Sequence, residues 1–136
     1  MSQAKPGAAK QRPLSPHLQV WRWHITMAGS ILNRATGVAL YVGALILAGW
    51  AISLASSQDA YIAYMGMLGT PLGRLVMFGL TFSIFYHLAA GIRHLFWDAG
   101  VGFDPKFSDL TGAACIAFAI VATLVIWVMA FLTGAL

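Results

Sequence analysis

His87 stands within a stretch from Leu75 to Ile92 that contains no Asp, Glu, Lys or Arg. In so apolar a setting a histidine must be satisfied by something other than water, which marks it as a candidate functional residue. At about 100° per residue, Ser83, His87, Gly91, His94 and Asp98 fall along one helical stripe. The glycine one turn after His87 removes a side chain that would hold a flat ligand or a neighbouring helix away. A nitrogen donor with room beside it meets the needs of an axial haem ligand on a membrane helix; the alternative is a histidine bonded to a neighbouring helix. His94 lies nearer the end of the stretch, where it either bonds a haem propionate or faces lipid headgroups. The two histidines project from one face about 10 Å apart along the axis, so they cannot both ligate one iron. His17 and His24 precede the first apolar stretch, and a haem with two histidine ligands would take its second from another chain.

A second constellation pairs Ser30 with Arg34, four residues apart and so on one helix face. Arg34 either anchors the helix at the interface or serves a site. Trp23 lies about two turns back, and Met27 and Ile31 add apolar walls. That mixture suits a quinone, whose ring needs an apolar slot while its carbonyl oxygens need donors able to hold negative charge.

These residues must be positioned by membrane helices. The chain of 136 residues is 60% apolar and 9% charged, against roughly 25% charged in soluble domains. Three uncharged stretches, Ala35 to Gln58, Leu75 to Ile92 and Leu110 to Leu136, approach or exceed the ~20 residues that span a bilayer. The predicted architecture is all-α with three transmembrane helices, at about 25–56, 72–97 and 110–132. They form a domain of residues 25–136 behind an N-terminal arm of residues 1–24, and Ala35, Ala39 and Gly43 predict a packing groove on the first helix. Tyr61, Tyr64 and the Gly69 to Gly73 turn read as an outer loop, and Asp104-Pro105 as a turn before the third helix.

Five of the eight basic residues, Lys5, Lys10, Arg12, Arg22 and Arg34, lie at or before the start of the first uncharged stretch. The positive-inside rule then puts the N-terminus in the cytoplasm and the C-terminus in the periplasm. On a membrane protein this basic arm reads as a topology signal rather than a nucleic-acid patch. No cleaved targeting segment is read, which favours a bacterial inner membrane over a mitochondrial one. The single cysteine, Cys115, excludes a disulfide framework and an iron-sulfur ligand set. There is no dinucleotide fingerprint and no acid-base pair, so the chain does not oxidise a substrate by itself. Missing internal repeats count against a transporter, whereas a haem-free scaffold or assembly protein remains the competing reading.

Three motifs resemble one family, the cytochrome b membrane-anchor subunit of succinate dehydrogenase, respiratory complex II. They are Arg12-Pro-Leu-Ser-Pro-His17-Leu, Ser30-Ile-Leu-Asn33-Arg34-Ala-Thr-Gly37, and Tyr86-His87 with Gly91-Ile-Arg-His94-Leu-Phe-Trp-Asp98. The resemblance implies haem b held by His87, with the other iron ligand from a second small anchor subunit, and the helices of both subunits packed into one haem-binding bundle. It further implies a ubiquinone site at Ser30 and Arg34 lined by Trp23, Met27 and Ile31, and electrons arriving from succinate through a flavoprotein and an iron-sulfur subunit. Many members carry histidine at the position of Asn33, associated with the haem propionate; asparagine donates a hydrogen bond there but carries no charge.

Overall fold

The computed structural model describes residues 22–134. The motif around His17, and nearly all of the predicted arm, lie outside the described residues. Four helices follow one another: α1 (Ile25–Ser56), α2 (Gln58–Leu68), α3 (Pro71–Asp98) and α4 (Pro105–Leu132). Among the described residues there is no strand. α1, α3 and α4, of 32, 28 and 28 residues, are long and apolar enough to cross a membrane. At 1.5 Å per residue even 28 residues run about 42 Å, beyond the ~30 Å of hydrocarbon.

Two elements differ from the sequence reading. The segment read as an outer loop is a helix. Ser57, in extended conformation, ends α1 and caps α2 by accepting from the Ala60 amide at 3.1 Å, and Asp59 sits favourably in the first turn. Tyr64 then turns α2 back onto α1, donating its hydroxyl to the Ile46 carbonyl at 2.7 Å. Gly49 permits that approach, since a Cβ there would lie 2.7 Å from the tyrosine oxygen.

The second difference is the start of α4, five residues before Leu110. Asp104 caps it by accepting from the Phe107 amide at 3.0 Å, and Pro105 opens its first turn. The Asp-Pro pair is thus a helix start rather than a separate turn, because a proline costs nothing where no intrahelical donor is needed. α3 opens in the same way, with Thr70 as cap and Pro71 in the first turn. Between α3 and α4 the chain reverses through Gly100 and Gly102, whose positive φ of 79° and 90° suits glycine.

The spans meet at a small core of Tyr86, Ala90 and Ala119, with Leu32, Phe82, Phe85, Cys115 and Ile116 against it. Most large apolar side chains face outward, as expected of helices solvated by lipid. The close approach of α1 to α3 keeps Gly43 of the predicted row but not Ala35, which is exposed. It follows Gly29, Gly37 and Gly43, which meet Tyr86, His87 and Leu80 of α3.

At the end where α1 begins, charged groups join the helices. Arg93 on α3 donates from Nε to Thr111 Oγ1 at 3.0 Å and from Nη2 to the Ser108 carbonyl and hydroxyl at 2.7 and 2.8 Å. Its guanidinium also lies 3.9 Å from the Trp97 ring centroid. His24, the cap of α1, approaches Asp109 of α4 at 3.4 Å. Arg93 is therefore a clamp between α3 and α4. Its replacement by alanine should lower stability by on the order of 2–3 kcal/mol, because three charge-assisted bonds are lost together. Heat-induced unfolding in detergent reads this, with Arg93→Lys recovering only part of the loss; an unchanged melting curve would mean that the clamp contributes nothing.

Candidate functional site

His87 lies midway along α3, half-buried, against α1. Its Nδ1 is 3.3 Å from the hydroxyl oxygen of Thr36. That hydroxyl is buried, 2.8 Å from the Leu32 carbonyl and 3.0 Å from the Asn33 carbonyl. A threonine has one hydroxyl proton, and the two nearer carbonyls can only accept. The proton goes to them, so the oxygen faces the imidazole as an acceptor and Nδ1 carries hydrogen. Nε2 is then left with a lone pair, the form in which an imidazole binds a metal.

Two glycines shape the space around the ring. At Gly37 a Cβ would lie 3.3 Å from His87 Cε1, so the missing side chain lets the ring rest on α1. At Gly91, one turn along α3, nothing lies within 4 Å of where a Cβ would be. The room expected beside His87 is present, and the glycine that touches the ring belongs to a different helix. Ser83 does not join this arrangement, because its hydroxyl donates to the Gly79 carbonyl of its own helix. Among the described residues no group of three or more His, Cys, Asp or Glu could hold a metal ion. His87 could ligate only a metal held chiefly by other atoms.

His94 is exposed and edge-on to Trp97, with ring centroids 5.1 Å apart. Its Nδ1 is 2.7 Å from the Ala90 carbonyl and so carries hydrogen. In the neutral ring Nε2 can only accept, and a hydrogen bond from it to a carboxylate requires the imidazolium form.

Met27, Ser30, Ile31 and Arg34 form a continuous exposed stripe on α1. Trp23 is exposed too but precedes the helix, so helical spacing does not describe its position. Neither Ser30 nor Arg34 is bonded to another described residue, and Arg34 lies one turn before Gly37. Arg34 is thus the member of the stripe nearest the level at which His87 meets α1. Apolar cavities of about 460 Å³, between α3 and α4, and about 540 Å³, among α1, α2 and α3, include none of these residues. The stripe is therefore an exposed face of α1 outside both cavities. On the seam itself, Asn33 Oδ1 is the buried side-chain oxygen or nitrogen that lacks a partner among the described residues. Arg93 and Thr36 are the residues that sequence reasoning passed over, since each acts through a helix it does not belong to.

The family model described as succinate dehydrogenase/fumarate reductase transmembrane subunit matches residues 8–126. The succinate dehydrogenase cytochrome b556 subunit of Rickettsia felis is 37% identical over 128 residues, covering 94% of this chain and 100% of the relative. That of Paracoccus denitrificans is 37% identical over 110 residues, covering 81% and 85%. The mitochondrial cytochrome b560 subunit of Mus musculus is 34% identical over 121 residues, covering 88% and 72%.

Two glycine substitutions should behave oppositely. Gly37→Val drives a side chain into the His87 ring and should cost about 1–3 kcal/mol, whereas Gly91→Ala meets no neighbour and should be neutral or slightly stabilising. Melting temperatures in detergent compare the two, and equal effects would contradict the seating of His87 on α1.

Proposed function

The chain belongs to the family of succinate dehydrogenase/fumarate reductase transmembrane subunits, and on that premise we propose that it binds haem b through His87 and forms one wall of a ubiquinone site. As a family member it is a membrane subunit of an enzyme complex, not an enzyme alone. The observation that carries the haem reading is the His87 ring itself. Its Nδ1 is turned to the Thr36 hydroxyl, its Nε2 lone pair is unengaged, and the space at Gly91 is open. Those residues fit a planar metal-bearing group beside the helix.

When bound, haem b would supply a one-electron store beside His87. Every other contribution comes from side chains. His87 Nε2 would hold the iron, and a second protein ligand would come from a second small anchor subunit, because His94 shares the helix of His87 and His24 caps α1 at the bundle's end. His94, in its imidazolium form, is suited to a propionate. By the resemblance, Asn33 takes the position at which many family members carry histidine, and its side-chain oxygen is buried without a partner among the described residues.

At the quinone wall, Arg34 and Ser30 donate hydrogen bonds to a quinone carbonyl oxygen. As electrons arrive, negative charge grows on that oxygen, and fixed donors stabilise it more strongly there than in water. Trp23, Met27 and Ile31 hold the ring and keep bulk water away. The donors stand near the helix end toward which the iron-sulfur and flavoprotein subunits would dock, on the cytoplasmic side of a bacterial inner membrane. The second anchor subunit closes the other side.

Arg34→Ala should slow quinone reduction by on the order of 10–100-fold while succinate oxidation with an artificial dye acceptor stays intact in the same complex. Equal loss of both activities would overturn the quinone assignment. His87→Ala should abolish or shift the b-type absorbance in a reduced-minus-oxidised spectrum of the purified complex, and an unchanged band would remove His87 as ligand.

A further inference from the structure

We propose that Thr36 is a positioning residue that fixes the tautomer and orientation of His87, so that Nε2 and not Nδ1 is presented to the iron and its donor strength is raised. The inference rests on the haem reading above and concerns a residue that does not itself touch the metal.

Thr36 has little choice of partners. It is 3% exposed, so water does not compete for its hydroxyl. The hydroxyl proton is engaged by the carbonyls of Leu32 and Asn33 on its own helix, which fixes the direction of the remaining lone pairs. One of them faces His87 Nδ1 from the opposite helix, 51 residues away in sequence. Across the seam the ring is also placed by contact, because Gly37, the next residue, lets Cε1 come against α1. A neutral imidazole in hydrocarbon could otherwise carry its proton on either nitrogen, and with hydrogen on Nε2 it could not bind a metal through that atom. An acceptor on the far nitrogen selects the binding tautomer and pushes electron density toward the iron, which favours the oxidised metal. Thr36 is suited to this task because it can accept while its proton is occupied elsewhere. Valine has the same shape without the oxygen, and serine keeps the oxygen while losing the methyl group.

The experiment uses the whole assembled complex with Thr36→Val, Thr36→Ser and His87→Ala, and reads haem content, the b-type absorbance and the midpoint potential of the haem by redox titration. Thr36→Val should raise the potential and weaken haem retention by about tenfold to a hundredfold, and Thr36→Ser should restore both to near the parent values. If packing alone mattered, serine would show the defect and valine would not, and that pattern overturns the proposal. Parent-like potential and haem retention in Thr36→Val overturn it as well. Should Thr36→Val fail to assemble, Thr36→Cys, with a weaker acceptor of similar size, is judged by the same rule. His87→Ala separates the two levels: an unaltered haem band there sinks the ligand assignment itself, whereas a lost band with a parent-like Thr36→Val sinks only the role of Thr36.

Discussion

The distance between α1 and α3 governs the rest of the molecule. Three glycines, Gly29, Gly37 and Gly43, bring the α1 backbone within touching distance of Tyr86, His87 and Leu80. In lipid there is no hydrophobic force to drive helices together, so close backbone approach and the contacts it allows must do so. The seam lets the Tyr86 hydroxyl reach the Gly29 carbonyl at 2.9 Å, a bond that crosses between spans. The same closeness brings the His87 ring to Thr36. A bulkier seam would part all of these contacts at once.

Hydrocarbon also makes the accounting of polar groups strict, because each unsatisfied one is costly there. Most buried hydroxyls settle the matter within their own helix: Ser53 donates to Trp50, Ser83 to Gly79 and Thr123 to Ala119. Against that background the exceptions stand out. Thr36 is satisfied at home and still faces a second helix, and Asn33 Oδ1 is left without a partner. Ser30 and Arg34 lie exposed on a surface destined for lipid or protein. All four lie within seven residues of one another on α1.

Much of this was legible in the sequence because charge exclusion is a coarse signal that long spans display plainly. His87 was conspicuous for the same reason, as a titratable ring in an uncharged run. Residues 58–68 were not legible as a helix, since their apolar character reads as neither a span nor a polar turn, and what holds them is Tyr64 against Gly49, a contact between segments. The start of α4 was missed because Lys106 and Asp109 mark the end of apolar sequence, not the end of helix. Thr36 and Arg93 escaped for one shared reason: periodicity along one helix says which residues share a face, and nothing about what the next helix brings to that face.

The order of contacts along the chain has a consequence for biogenesis. Every residue of the glycine seam and its partners on α3 precedes Asp98, and α2 ties the outer ends of the first two spans before α4 follows. A hairpin of α1 and α3 can therefore settle while the remainder is still being synthesised. The last helix arrives as a latch, closing when Ser108 and Thr111 meet Arg93 and Asp109 meets His24. A nascent chain interrupted before residue 105 would already hold the imidazole in place, yet lack the fastening at the end where α1 begins.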